Sequence, residues 1–199
     1  MLKIENLKKC YKNHIVFNQL SLTINDGDLI YIHGINGSGK STLFKIICGI
    51  TNQNDGIIIK DGNTHIGALI ENPGFLENET IKFNLKFLSS LKNNYNEDKI
   101  IELCQLFHLD FFDKSKIKNF SLGMRQKVGI IQTIMEDQNL ILLDEPTRGL
   151  DQQAIDSFCQ LIINLHSQGK TIIIASHDYM TKLPFDKHYN LDNGSLKEE

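Results

Sequence analysis

Three stretches of the chain are apolar without interruption: Leu29-Ile30-Tyr31-Ile32, Leu140–Leu143 and Ile172–Ala175. Short unbroken runs of this kind predict strands covered on both faces, as in a parallel sheet. Other segments repeat at helical spacing. Leu43, Ile46 and Ile47 predict a helix over about 40–49, Ile81, Leu85 and Leu88 one over 79–91, and Ile100, Leu103 and Leu106 one over 97–108. Val128, Ile131, Ile134 and Met135 predict a helix from 122 to about 136, and a further helix is expected over 151–167. Residues 2–10 and 15–24 read as β-rich segments separated by Lys12-Asn13-His14, with a turn at Asp26-Gly27 before a strand at 28–33. Further strands are expected at 56–60 and 65–70. The pattern is an α/β sheet interrupted by a mostly helical section from about 72 to 137.

Composition narrows the class. With 199 residues, 41% hydrophobic and 23% charged, the chain suits one domain with an inserted subdomain, not two full domains. A net charge of -3 offers no global basic field for nucleic acid. The apolar runs fall far short of the ~20 residues of a membrane span, and the N-terminal MLKIENLKKC carries charges where a signal peptide needs an apolar stretch. Cys10, Cys48, Cys104 and Cys159 are too scattered for a zinc site and read as buried free thiols.

The chemistry begins at Gly34-Ile35-Asn36-Gly37-Ser38-Gly39-Lys40-Ser41-Thr42, which fits G-x-x-x-x-G-K-[ST] between a buried-type strand and an amphipathic helix. A polyphosphate needs many donors at short range. Glycines let backbone N–H groups approach it, and the following helix points its partly positive end at the anion. Lys40 adds a full charge on the outer phosphates, and the Ser41 hydroxyl can coordinate Mg²⁺. Downstream, Leu140–Leu143 runs into Asp144-Glu145. A central strand delivers these two acids to the carboxyl end of the sheet, where ligands bind. Asp144 is placed to hold Mg²⁺ through its water shell, and Glu145 to polarise a water against the γ-phosphate.

Phe120-Ser121-Leu122-Gly123-Met124-Arg125-Gln126 opens a helix with Ser121 as its N-cap. By itself this is explained by a capped core helix. In order, however, the phosphate loop, the helical section, the Ser-x-Gly-x-x-Gln helix, the Asp144-Glu145 strand, Pro146-Thr147-Arg148-Gly149-Leu150-Asp151 and a strand followed by Ser176-His177-Asp178 resemble the nucleotide-binding subunit of ABC transporters. The resemblance runs from about residue 2 to 195. It implies a P-loop NTPase fold with an ABC-type β-subdomain and an inserted helical subdomain, the core being about 1–71 and 138–199. It also implies ATP and Mg²⁺ as ligands and a head-to-tail dimer with two ATP molecules between its halves.

In that dimer the resemblance makes Tyr11 the aromatic that stacks on adenine and His177 the switch histidine at the γ-phosphate. Ser121 and Gly123 would face the γ-phosphate across the dimer, a role that suits a helix N-terminus, with Asp151 in the segment that communicates between subunits. The implied partners are an integral membrane permease and a second copy of the chain or a homologous ATPase, with no nucleic acid. The implied place is the cytoplasmic face of the cell membrane, and the permease is expected to contact residues 72–95.

Two departures qualify the match. Leu122 stands where the family's first signature glycine is usual, and Met124 where its glutamine is. Glu71 stands where a Mg²⁺-contacting glutamine is expected. A carboxylate there keeps metal binding possible while adding negative charge beside Asp144 and Glu145. Together the departures resemble the subgroup that exports bacitracin and lantibiotic-type peptides. The alternatives are an ATP-binding regulatory subunit with little turnover, a soluble ABC ATPase outside transport, and a small-molecule P-loop kinase.

Overall fold

The computed structural model describes residues 1–12, 14–91, 95–178 and 180–199. Asn13, in the expected break between the first strands, and Lys92–Asn94, in the expected permease contact, lie outside the described residues.

Two sheets form. The first is antiparallel, in the order β2-β1-β4, built from β1 (Leu2–Tyr11), β2 (His14–Ile24) and β4 (Asp55–Lys60). The second has six strands in the order β5-β6-β7-β3-β8-β9. Its members are β3 (Leu29–His33), β5 (Ile66–Leu69), β6 (Leu140–Asp144), β7 (Thr171–Ser176), β8 (Lys187–Asp192) and β9 (Ser195–Glu198). All pairings in it are parallel except β8 with β9.

The central strands are apolar throughout because each feeds two cores. Leu29, Tyr31, Ile141, Leu143, Ile172 and Ile174 join one cluster, while Ile30, Ile32, Leu140, Leu142, Ile173 and Ala175 join the other. A side-chain period of two makes this division unavoidable. Helix α1 (Lys40–Ile47) lies in the second cluster, where Leu43, Phe44, Ile46 and Ile47 meet residues of both sheets. The first cluster receives α2 (Ile81–Ser90), α3 (Glu97–Leu106), α4 (Leu122–Ile134) and α5 (Gln152–Ser167).

Four helices start on side-chain caps. Thr80, Asn96, Ser121 and Asp151 accept hydrogen bonds from Phe83, Lys99, Met124 and Ala154 N–H respectively. Residue 151, expected inside its helix, is thus the cap that precedes it, and the first and fourth helices end at Ile47 and Ile134. The hairpin β8–β9 adds two strands that the apolar runs do not announce. All four cysteines are free; Cys104 and Cys159 are buried, but Cys10 and Cys48 are only half-buried. Burial pushes the Cys48 thiol up to about 11 and the Cys104 thiol up to about 12, which makes both poor nucleophiles.

Candidate nucleotide site

Strand β3 ends directly in the glycine-rich loop. Gly39 precedes α1 with φ 110° and no side-chain cap, so the first N–H groups of that helix carry no side chain of their own cap. A Cβ at Gly39 would lie 2.8 Å from Phe17 and 2.9 Å from Val16. The loop is thereby pressed against β2, and only glycine fits. The Lys40 ammonium donates to the Gly34 carbonyl at 2.6 Å and lies 3.5 Å from a Glu145 oxygen. Ser38 N–H donates to the Ile35 carbonyl at 3.1 Å, closing the loop.

A cleft of about 310 Å³ opens here. Tyr11, Asn36, Gly37, Gly39, Lys40, Ser41, Thr42, Glu71, Asp144 and Glu145 line it, so four separated segments of sequence meet at one place. His14 lines it too, a residue that no sequence motif singles out. Tyr11 is 47% exposed, and the Lys9 ammonium lies 4.6 Å from its ring centroid.

The acids are held differently. Ser41 Oγ donates to Asp144 Oδ2 at 2.5 Å. Asp144 is 3% exposed, and its Oδ1 is buried without a well-formed hydrogen bond. Burial pushes its carboxyl up, a rise that the Ser41 hydroxyl, the Glu71 backbone N–H and the Lys40 charge offset only in part. An orphaned carboxylate oxygen beside a hydroxyl is a hard-oxygen donor set of the kind that suits Mg²⁺.

Glu145 has φ 47° and Glu71 φ 57°. Both are held in the left-handed region, which non-glycine residues rarely adopt. Glu145 accepts from Ser176 Oγ at 2.9 Å and from the His177 N–H at 3.1 Å, and its Oε2 lies 2.8 Å from His177 Nδ1. Burial alone would raise its pKa, but the hydrogen bonds from His177 and Ser176 and the charge of Lys40 win and hold it below the usual carboxylate range. The hydrogen bond and charge of Glu145 in turn raise His177 above its ordinary value. Buried Gln126, on α4, donates to the carbonyls of Glu145 and Pro146, both at 3.1 Å, and anchors this turn.

Glu71 takes Lys45 as its partner at 2.5 Å. Lys45 lies one helical turn beyond Ser41, so the extra carboxylate in the cleft is charge-balanced from α1. This pairing was not legible in the sequence.

Ser121, Gly123 and Asp151 form a second group and do not line this cleft. Gly149 has φ 74° and its carbonyl abuts Gly123. Lys127, on α4, lies 3.7 Å from Asp151. Arg125 binds both oxygens of Glu77 and sits 5.5 Å over the Phe75 ring, tying the segment that leaves Glu71 to the signature helix.

The whole chain superposes on known cassettes. A structure described as the ATP-binding subunit of an ABC transporter gives a TM-score of 0.89 at 25% identity, over 100% of this chain and 89% of that one. A dimeric ATP-binding cassette solved with ADP and Pi gives 0.90 at 24% identity, over 100% and 98%. In sequence, the lantibiotic transport ATP-binding protein SrtF of Streptococcus pyogenes is 36% identical over 184 residues, 89% of this chain and 80% of that protein. The bacitracin transport ATP-binding protein BcrA of Enterococcus faecalis is 32% identical over 89% of this chain, which spans 61% of BcrA. The ABC transporter family model matches residues 17–148. The chain belongs to the ABC transporter family, as an ATP-hydrolysing nucleotide-binding subunit.

Proposed function

We propose that this subunit works at the cytoplasmic face of the membrane, where it powers a separate permease that exports a peptide antimicrobial or a similar compound. Its sequence likeness to SrtF and BcrA supports the substrate class. One observation carries the catalytic reading. Lys40, Ser41, Asp144 and Glu145 converge on a single cleft, and His177, which does not line it, is bound to Glu145.

The residues divide the work by chemistry. The loop from Gly34 to Thr42 offers backbone N–H groups to the phosphates, and Lys40 turns its charge from the loop carbonyls to them. Tyr11 offers its open ring face to the base. Ser41 and Asp144 hold Mg²⁺, with Glu71 able to join them if it leaves Lys45; the ion supplies charge neutralisation on the phosphates. Glu145, kept ionised, accepts a hydrogen bond from the attacking water and orients it, while His177 is held beside it to meet the γ-phosphate. Ser121, Gly123 and Asp151 act across a head-to-tail dimer, where the capped start of α4 meets the partner's ATP.

The section 72–137 behaves as a helical subdomain that carries the permease contact. Phe83 and Phe87 support this. They are 45% and 44% exposed, one helical turn apart on α2, with rings 6.3 Å apart and nearly parallel. Leu76, also exposed, belongs to the segment that Arg125 ties to α4. Among the described residues no helix is long and apolar enough to cross a membrane.

Affinity isolation from gently solubilised membranes of the native cell tests this reading. Recovery of a multi-span membrane protein in stoichiometric ratio is expected. Recovery with ribosomes or nucleoid, or alone in the soluble fraction, would overturn the exporter reading.

A further inference from the structure

Tyr31 places a phenol in the middle of the large parallel sheet. It is 1% exposed, with its ring packed 5.0 Å from Phe185 and 5.8 Å from His188, centroid to centroid. A phenylalanine would fill that apolar space as well, so the hydroxyl is what calls for an explanation: buried, it costs stability unless it finds a partner. Its oxygen lies 2.6 Å from the Asp178 carbonyl and 3.3 Å from the Ser176 carbonyl. Those two carbonyls flank His177.

The register explains the reach. Tyr31 on β3 sits opposite Ile174 on β7, and at about 3.3 Å per residue a phenol spans the distance to the end of that strand. Three residues past Tyr31 begins the phosphate loop, and three past Ile174 lies His177. The turn at His177 is therefore gripped twice. Glu145 holds it from the cleft, through Ser176 Oγ, His177 N–H and His177 Nδ1. Tyr31 holds its backbone from inside the sheet.

We infer that Tyr31 is a positioning residue for hydrolysis: its hydroxyl donates to the Asp178 carbonyl and fixes the turn that sets His177 against Glu145. This rests on the roles given to Glu145 and His177 above. Tyr31 does not line the cleft; it acts through the turn.

The test is Tyr31→Phe, which removes one oxygen and keeps the packing, with His177→Ala and the double variant beside it. Single-turnover ATP hydrolysis and ATP affinity are measured for each purified chain. For Tyr31→Phe the rate is expected to fall about three- to tenfold, the scale of one buried hydrogen bond, with ATP affinity unchanged within about twofold. In the His177→Ala background the same substitution should bring no further loss. A Tyr31→Phe chain that hydrolyses at the parent rate overturns the inference. So does one whose affinity falls with its rate, or one whose loss adds in full to that of His177→Ala. If His177→Ala itself hydrolyses at the parent rate, the underlying Glu145–His177 reading falls and takes this one with it.

Discussion

Gly123 faces the carbonyl oxygen of Gly149 so closely that a Cβ on Gly123 would lie 2.5 Å from that oxygen. The start of the signature helix and the segment leading to Asp151 are in backbone contact. A glycine is needed at 123 for packing within the subunit, before any ligand is considered. In an open helix Gly→Ala gains about 1 kcal/mol of helix propensity. Here overpacking against a backbone atom, at about 1–3 kcal/mol, should win. Gly123→Ala is expected to lower the urea midpoint with an unchanged slope; a raised midpoint would show that the contact relaxes freely.

Asp144 is expected to limit the stability of the metal-free chain. Its pKa is raised by burial, so its charged form is disfavoured in the folded state. The cost appears as pH rises above the ordinary carboxylate value and is relieved as pH falls. Asp144→Asn should melt at the parent temperature or a few degrees above it without Mg²⁺, and should lose the Mg²⁺ dependence of ATP binding. Calorimetry and equilibrium titration check both. A lower melting temperature with Mg²⁺ dependence intact would contradict the metal assignment.

His177 and Glu145 define a pH window. The His177 pKa is raised, so its contribution is present below its unfolded value and fades as pH rises through the folded one. The Glu145 pKa is lowered, so its contribution fades as pH falls through its own folded value. The pair is thus held together between these limits. An NMR titration of His177 should show a midpoint above about 6.5 that returns towards it in Glu145→Gln. Asp178 lies farther off, 3.5 Å from Nε2, so Asp178→Asn should move the midpoint less.

On the proposed permease contact, the exposed ring pair on α2 serves partner binding. Phe83→Ser with Phe87→Ser should leave ATP hydrolysis by the purified chain unchanged and shift its stability by no more than about 0.5 kcal/mol per site. Co-purification with the membrane partner should fall sharply. Undiminished recovery would place the permease contact elsewhere.

Much of this architecture could be read from residue pattern. The three unbroken apolar runs became the centre of the parallel sheet because each strand has a core on both faces. Ser121 was legible as a cap because its hydroxyl has one local task, satisfying the Met124 N–H. The hairpin β8–β9 was missed although its turn was in view: Asn193 and Gly194 have φ 48° and 73°, the signature of a two-residue hairpin turn. Its strands carry too few buried positions to stand out, chiefly Tyr189 and Leu191.

Long-range polar pairs were illegible for a different reason. Nothing in local pattern links Glu71 to Lys45, or the Tyr31 hydroxyl to Asp178. Tyr31 counted simply as one apolar residue in a run, and its oxygen acquires meaning only when β7 is laid beside β3.

The most direct test of the account is Glu145→Gln. The amide keeps the side-chain volume but gives up the charge proposed to orient water. Hydrolysis in a single turnover should fall by about two to four orders of magnitude, while ATP affinity is retained and ATP drives a stable dimer visible by light scattering. Turnover at the parent rate would remove Glu145 from the role on which the catalytic reading depends.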